Sequence, residues 1–321
     1  MAGKLTFTLA DYQEAAAKWR KDLLMLPIIG IQDTLQYMTG RPGIRYKEHV
    51  AEINGNAQFG PYKPSRSTDF NLNLDFRTLE TFMGSVVAKF EPNSAISTLL
   101  GEIGATKGDG QMSTPSAMHV LALIAKGLSE NLNDAIWKGK RNPSGDLTID
   151  LFDGFDTITE NEIAAGGLTE KKGNYMKLDD EITNVNAVDI AKKILFSLDP
   201  RLRSQDLNLY CTQDFADKYN EAYLMSHGGI IYNNQYDQQT VEGSNGRLHI
   251  VPLYNKTGSK FMHISPKSNM LVGYDQMGDV ENVLVKEYEP FILSYIATMF
   301  FGVQFESIDK RRMKVIELKG Y

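Results

Sequence analysis

The chain is short of cysteine: its 321 residues contain one, Cys211. A single thiol excludes an internal disulfide and any cysteine-based metal cage, and removes the usual reason to expect an oxidising compartment. Histidine is scarce as well. His49, His119, His227, His249 and His263 never lie three to five residues apart, so no pair has metal-ligand spacing. Positive charge is in deficit, with 34 Lys and Arg against 40 Asp and Glu and a net charge of −6. A protein that grips nucleic acid through its phosphates usually carries a basic excess, so dedicated DNA binding is not expected of the chain as a whole. Long apolar runs are missing too. The longest uncharged stretch, Pro290–Phe305, is shorter than the roughly 20 residues of a membrane-spanning helix and contains Ser294, Tyr295, Thr298 and Gln304. Its β-branched and aromatic residues predict a buried strand. No apolar segment follows the first positive charges, so no signal peptide is expected, and the reading is of a soluble protein made inside the cell.

What is present is an ordinary globular composition, 42% hydrophobic and 23% charged, enough for a sizeable core in two domains or one large domain with an insertion. Leu9, Tyr12, Ala16, Trp19, Leu23 and Leu26 recur at helical spacing, with Thr8 as N-cap and Pro27 and Gly30 as the stop. From Ile44 the period changes. Arg45–Ile53 predicts a strand, and Phe70–Phe76 alternates apolar and polar residues at every step. The Gly-, Pro-, Asn- and Ser-rich segment between them is too long for a tight turn. The pattern is a long two-stranded finger, which has one thin face to bury and therefore needs another surface to lie on. Thr114-Pro115 opens a helix whose Met118, Leu121, Ala125, Leu128, Leu132 and Ile136 trace one stripe as far as Trp137. The acid-rich stretch Asp146–Glu162 does not fit a calcium loop and reads as a solvated loop. Beyond Asn184 the pattern is mixed: helices over Ala187–Leu198 and after Thr212, and strands over Leu207–Cys211, Leu248–Tyr254, Lys260–Ile264, Met270–Gly273, Val283–Tyr288, Phe291–Phe305 and Met313–Leu318.

There is no phosphate-binding loop, no dinucleotide-binding turn and no nucleophile elbow. Cys211 closes an apolar strand, which favours a buried inert thiol. No catalytic residue, cofactor site or metal site is expected. The basic residues Arg41, Arg45, Lys47, Lys63 and Arg66 bracket the finger, with Tyr46, Phe59 and Tyr62 among them. Charge and stacking together suit single-stranded nucleic acid. They suit equally a protein contact in which a protruding arm meets acids on a neighbour, and the ten acids from Asp146 to Glu181 favour that reading.

The order of arm, finger, long helix, α/β insertion and returning strands resembles the major capsid proteins of tailed bacteriophages, whose Hong Kong-type coat fold is shared with encapsulins and herpesvirus capsid floor domains. Asp206–Leu224 is similar to the strand-then-helix of the family's axial domain, and Gly246–Asn255 to its strand leading to a proline. Ser268–Asp275 resembles the return to the periphery, and Val283–Leu318 the closing strands, with Phe301-Gly302-Val303 in the usual place. Asp134–Asp146 is similar in texture to coat proteins of phages of Bacteroidetes-type gut hosts.

The resemblance implies an α+β fold: an N-terminal arm over 1–44, an extended loop over 45–78, and a peripheral domain over 79–183 with its spine helix at 113–137. An axial domain over 184–282 and return strands over 283–321 complete it. Arg41, Arg45, Lys47, Phe59, Tyr62, Lys63 and Arg66 would then make inter-subunit contacts through the extended loop and arm. The chain would self-assemble through hexamers and pentamers into the icosahedral head of a virion in the host bacterial cytoplasm, around double-stranded DNA held by non-specific proximity. A scaffolding protein, a portal and decoration or head-fibre proteins are the implied partners, with no membrane and no cofactor. Some relatives cross-link a loop lysine to a neighbour's asparagine. Lys47 and Lys63 lie in the corresponding region, but no motif fixes a partner, so that chemistry is not carried over. The competing readings are an encapsulin-type nanocompartment shell with enzyme cargo and a soluble enzyme of unknown chemistry.

Overall fold

The computed structural model describes residues 9–19, 31–55, 61–64, 72–91, 114–227, 240–275, 283–290 and 292–320. Helix α1 (Leu9–Lys18) buries Tyr12, Ala15 and Ala16 and turns Gln13, Glu14 and Lys18 outward, as its three-and-four spacing requires. The expected continuation to Leu26 lies outside the described residues. A single turn, α2 (Gln32–Leu35), leads into β1 (Thr39–Pro42).

Strands β2 (Lys47–Gly55) and β3 (Leu72–Glu80) pair antiparallel from Lys47 opposite Glu80 to Gly55 opposite Leu72, forming the stem of the finger. One residue later, after Thr81, comes β4 (Phe82–Phe90), a strand the sequence reading did not pick out. Its Val86-Val87-Ala88 run masks the two-residue period that its burial follows.

The long helix is present as α3 (Thr114–Lys138), 25 residues, with Leu121, Ala125, Leu132 and Ile136 of the expected stripe buried. The acidic stretch after it needs correction. It is not a solvated loop, because a 3-10 turn (Thr148–Asp150) is followed by helix α4 (Phe155–Ala164), which buries Phe155, Thr157, Ile158 and Thr159. Of its acids Glu160 points outward, while Asp156 turns inward to buried Lys256 and Glu162 pairs with Arg77. Strand β5 (Tyr175–Lys177), helix α5 (Ala187–Phe196), the turn α6 (Pro200–Arg203, capped by Asp199), strand β6 (Leu207–Thr212) and helix α7 (Gln213–His227) follow. The Thr212 hydroxyl accepts from the Phe215 N–H at 3.3 Å, the expected cap of α7. The remaining strands are β7 (Leu248–Leu253), β8 (Phe261–Ser265), β9 (Met270–Tyr274), β10 (Val283–Glu289), β11 (Ile292–Phe305) and β12 (Lys314–Glu317). The long uncharged stretch thus forms a strand over Ile292–Phe305, and among the described residues no helix is long and apolar enough to cross a membrane.

Two five-stranded sheets result. The first runs β1-β9-β11-β10, with β4 on the other edge of β11, and the second runs β5-β12-β8-β6-β7. Both are composite across the boundaries expected at 183 and 282. β9 joins β11 antiparallel in the first sheet, while β5 and β12 extend the second, because each completes the hydrogen bonding of a strand distant in sequence. Helices α1 and α3 cover one face of the first sheet through Tyr12, Leu121, Val285, Leu293 and Tyr295. Helices α5 and α7 pack on the second through Val188, Ile194, Phe215, Leu209 and Ile264. An aromatic seam of Trp137, Phe155, Tyr210, Phe261, Phe301 and Phe305 joins the two.

Candidate assembly interface

Five of the seven expected contact residues fall among the described ones. Tyr62 and Lys63 stand out into solvent near the finger's tip, Tyr62 being 91% exposed. Phe59 and Arg66 lie outside the described residues. The three at the root are already engaged within the chain. Arg41 pairs with Glu48 at 3.1 Å, Lys47 with Glu80 at 3.0 Å and Arg45 with Asp275 at 2.8 Å. Asp275 is buried at the end of β9, so Arg45 ties the start of the finger to the first sheet. Sequence distance hid that pairing, 230 residues apart.

The second strand of the finger is tied down as well. Arg77 donates to Glu162 on α4 at 2.7 Å, to the Phe305 carbonyl at 3.2 Å and to Gln304 Oε1 at 3.1 Å. In return Gln304 Nε2 donates to the Thr78 carbonyl at 3.2 Å. Arg77 is missed by a sequence reading because it occupies an ordinary polar position of an alternating strand.

Two apolar surfaces remain. On the finger, the register sets Ala51 opposite Phe76, Ile53 opposite Leu74 and Gly55 opposite Leu72. Opposed residues of an antiparallel pair share a face, so the apolar positions form one row, and Phe76 within it is 64% exposed. On the first sheet, β4 turns Val86, Ala88 and Phe90 toward α1 and α3 and presents Met83 and Val87 outward, 57% and 55% exposed. These two stand opposite Phe300 and Ile296, and Ile296 stands opposite Leu284 on β10. Tyr46, itself exposed, meets Phe300 edge-on at 5.2 Å. The face opposite the helices thus alternates apolar pairs with polar ones (Ser85 opposite Thr298, Lys89 opposite Ser294), and Met83 and Val87 are its exposed apolar side chains on β4.

The other cluster with chemical potential is sealed inside. Lys256 Nζ, fully buried, donates to Asp156 Oδ1 and to Ser259 Oγ, both at 2.9 Å, and sits 4.2 Å from the Trp137 ring centre. Burial pushes its pKa down and Asp156 partly restores it. The Thr159 hydroxyl donates to the Phe155 carbonyl and so is left to accept from His263 Nε2–H at 2.9 Å. His263 Nδ1 lies 3.9 Å from Asp156 and has no hydrogen-bond partner among the described residues. Burial, with the nearby Lys256 cation, holds the His263 pKa well below its ordinary value. Cys211 is buried as expected, and burial pushes its thiol pKa up. A cleft of about 520 Å³ lies between α3, β4 and the loop 141–151. Of its charged groups, Arg141 stacks over Phe82 at 3.6 Å and Asp150 accepts from the Leu147 N–H at 3.2 Å. The described residues contain no group of three or more His, Cys, Asp or Glu that could hold a metal.

No family model and no curated protein matches this chain. Solved structures do. A chain of the satellite phage P4 procapsid, a structure that includes the size-determination protein, is similar with a TM-score of 0.58 and 15% identity, over 92% of this chain and 90% of that one. The capsid of a native GTA particle is similar with a TM-score of 0.57 and 10% identity, over 90% of both chains. The SrpI encapsulin of Synechococcus elongatus is similar with a TM-score of 0.53 and 9% identity, over 88% of this chain and 86% of that one. At such identities the likeness establishes the fold. The chain has the α+β, Hong Kong-type capsid fold seen in phage coats and encapsulins.

Proposed function

We propose that this chain is the repeating coat subunit of a tailed-phage head, assembling with copies of itself through hexamers and pentamers around double-stranded DNA. One observation carries the reading: Phe76 stands exposed on the finger, and Met83 and Val87 stand exposed on the first sheet beside half-buried Ile296. A second copy supplies each with the other. The finger of one subunit lies across Met83, Val87 and Ile296 of the next, and the contact repeats around a closed ring. Many such modest contacts hold the shell collectively. Tyr62 and Lys63 extend the contact at the tip, with Phe59 and Arg66 in the same loop. Arg41, Arg45 and Lys47 serve it indirectly, by fixing the root. The similarity to phage and GTA capsids over most of the chain supports the same reading. Scaffolding, portal and decoration proteins would act on the assembled rings, in the cytoplasm of a bacterial host.

The test is light scattering with negative-stain electron microscopy on the purified protein, alone and co-expressed with the products of neighbouring genes. Rings, sheets or closed shells are expected. Deletion of Asn54–Ser67 should leave a folded subunit and abolish shells, whereas a deletion that unfolds the chain makes the finger part of the core. A protein that stays monomeric with its neighbours present defeats the proposal. The likeness to an encapsulin favours a second reading, a nanocompartment of the same fold around an enzyme. Nucleic acid recovered from purified particles separates the phage head from it, and protein cargo would favour the compartment.

A further inference from the structure

Gly302 on β11 and Gly273 on β9 stand opposite each other in the register of the first sheet. Neither has a positive φ, so what these glycines supply is room. A Cβ on Gly302 would overlap the Glu80 carbonyl oxygen, and one on Gly273 would come within 2.9 Å of Thr81 Cγ2 and 3.2 Å of Leu79 Cδ2. The corner Leu79–Thr81, where the finger turns into β4, therefore rests directly on two bare backbones. It is held there from several sides. Buried Thr81 donates its N–H to the Tyr46 carbonyl at 2.7 Å, accepts from the Tyr46 N–H at 3.0 Å and donates its hydroxyl to the Ile44 carbonyl at 3.2 Å. Tyr46 adopts a left-handed φ of 79° to do this, an uncommon conformation for a bulky residue that its surroundings must enforce. The Arg77 contacts to Glu162, Gln304 and the Phe305 carbonyl clamp one strand, and the Arg45–Asp275 pair clamps the other.

We infer that this root is a positioning device. It makes the finger and body one lever, fixes the angle at which the finger leaves, and thereby sets the tilt between neighbouring subunits. The second half rests on the shell reading above. Gly302, Gly273 and Arg77 are its positioning residues, and none of them needs to touch the partner.

Nitroxide labels on Lys63→Cys and Lys310→Cys, in a Cys211→Ala background, report the finger's direction by pulsed electron resonance on unassembled subunits. The parent should give one narrow distance. Gly302→Ala should shift its mean, because the new methyl displaces the Glu80 carbonyl, and Arg77→Ala should broaden it. In assembled material the same variants should displace or widen the distribution of particle diameters. A broad distance in the parent overturns the root, as do an unchanged distance and diameter in a Gly302→Ala protein that is folded by circular dichroism. If Gly302→Ala fails to fold, Arg77→Ala decides, and an unaltered narrow distance there overturns the clamp. A parent that never assembles yet keeps one narrow distance overturns the shell reading and the tilt that depends on it. One that assembles with a broad distance overturns the root alone.

Discussion

In the second sheet every residue of β8 is buried, from Phe261 to Ser265, whereas in the first sheet β4 half-buries alternate residues and leaves Met83 and Val87 in solvent. The second sheet is finished within the chain. Its central strand lies between β12 and β6, and the apolar side chains of β6 and β8 share a core with those of α5 and α7. The first has one face covered by α1 and α3 and the other covered at one end by the finger root, through Leu79 and Leu271, with Met83 and Val87 left exposed. Charge follows the same division. Lys256 and Asp156 are locked together in the seam, while Lys63 stands free in solvent near the finger's tip. A domain that folds alone finishes both faces of its sheets or makes the open one polar. Exposed Met83 and Val87 on the sheet and exposed Phe76 on the ribbon are what a subunit built for repetition would carry.

This contrast can be broken or sharpened by substitution. The largest effect is expected in the finished region. Asp156→Ala leaves Lys256 buried and uncompensated, and should lower the unfolding free energy of the isolated subunit by roughly 3–5 kcal/mol in urea titration. A loss well below 1 kcal/mol would mean that water reaches the seam. Next comes pH. His263 is neutral in the folded chain, its pKa held well below 6.5. The unfolded chain takes up a proton near that value and the folded one does not. Stability is therefore complete above about pH 6.5 and falls as the pH drops below it, by at most about 1.4 kcal/mol per unit for one proton. His263→Phe should flatten this part of the profile, measured as unfolding free energy at pH 7, 6 and 5. An unchanged slope would assign it to the carboxylates.

Smaller effects are expected at the open region. Arg41→Ala breaks a half-exposed ion pair with Glu48 and should cost less than about 1 kcal/mol by thermal unfolding. The double change Met83→Lys with Val87→Lys should alter subunit stability by about 0.5 kcal/mol or less, since both side chains already face water. The same pair should abolish assembly in light scattering. Intact shells from the double variant would remove the outer sheet face from the interface.

The fold was legible where period and punctuation agree. The Thr114–Lys138 helix, the Thr212 cap, the finger stem and the closing strands follow from local pattern, because a one-sided helix or an alternating strand has few other ways to bury its apolar residues. Strand β4 was not legible, since consecutive valines blur its alternation. Helix α4 was misread as loop because its acids outnumber the apolar residues that place it. Of the candidate interface, the sequence offers the aromatic and basic residues of the finger and its root as candidates. It does not show which of them are held at the root, because that depends on Asp275, far away along the chain, as the Arg77 clamp depends on Glu162 and Gln304.

By itself the sequence determined most of the strands and helices, β4 and α4 excepted, the two strands of a long ribbon, and that no disulfide or thiolate metal cage holds the chain together. These are properties of neighbouring residues and of composition. The tertiary structure alone decided which sheet faces are closed, where the ribbon is anchored, and that Gly302 and Gly273 lie side by side beneath its root. Those are matters of which distant strands pair and in what register, and the free energy that selects a register is shared by the whole packed assembly of strands rather than written in any one of them.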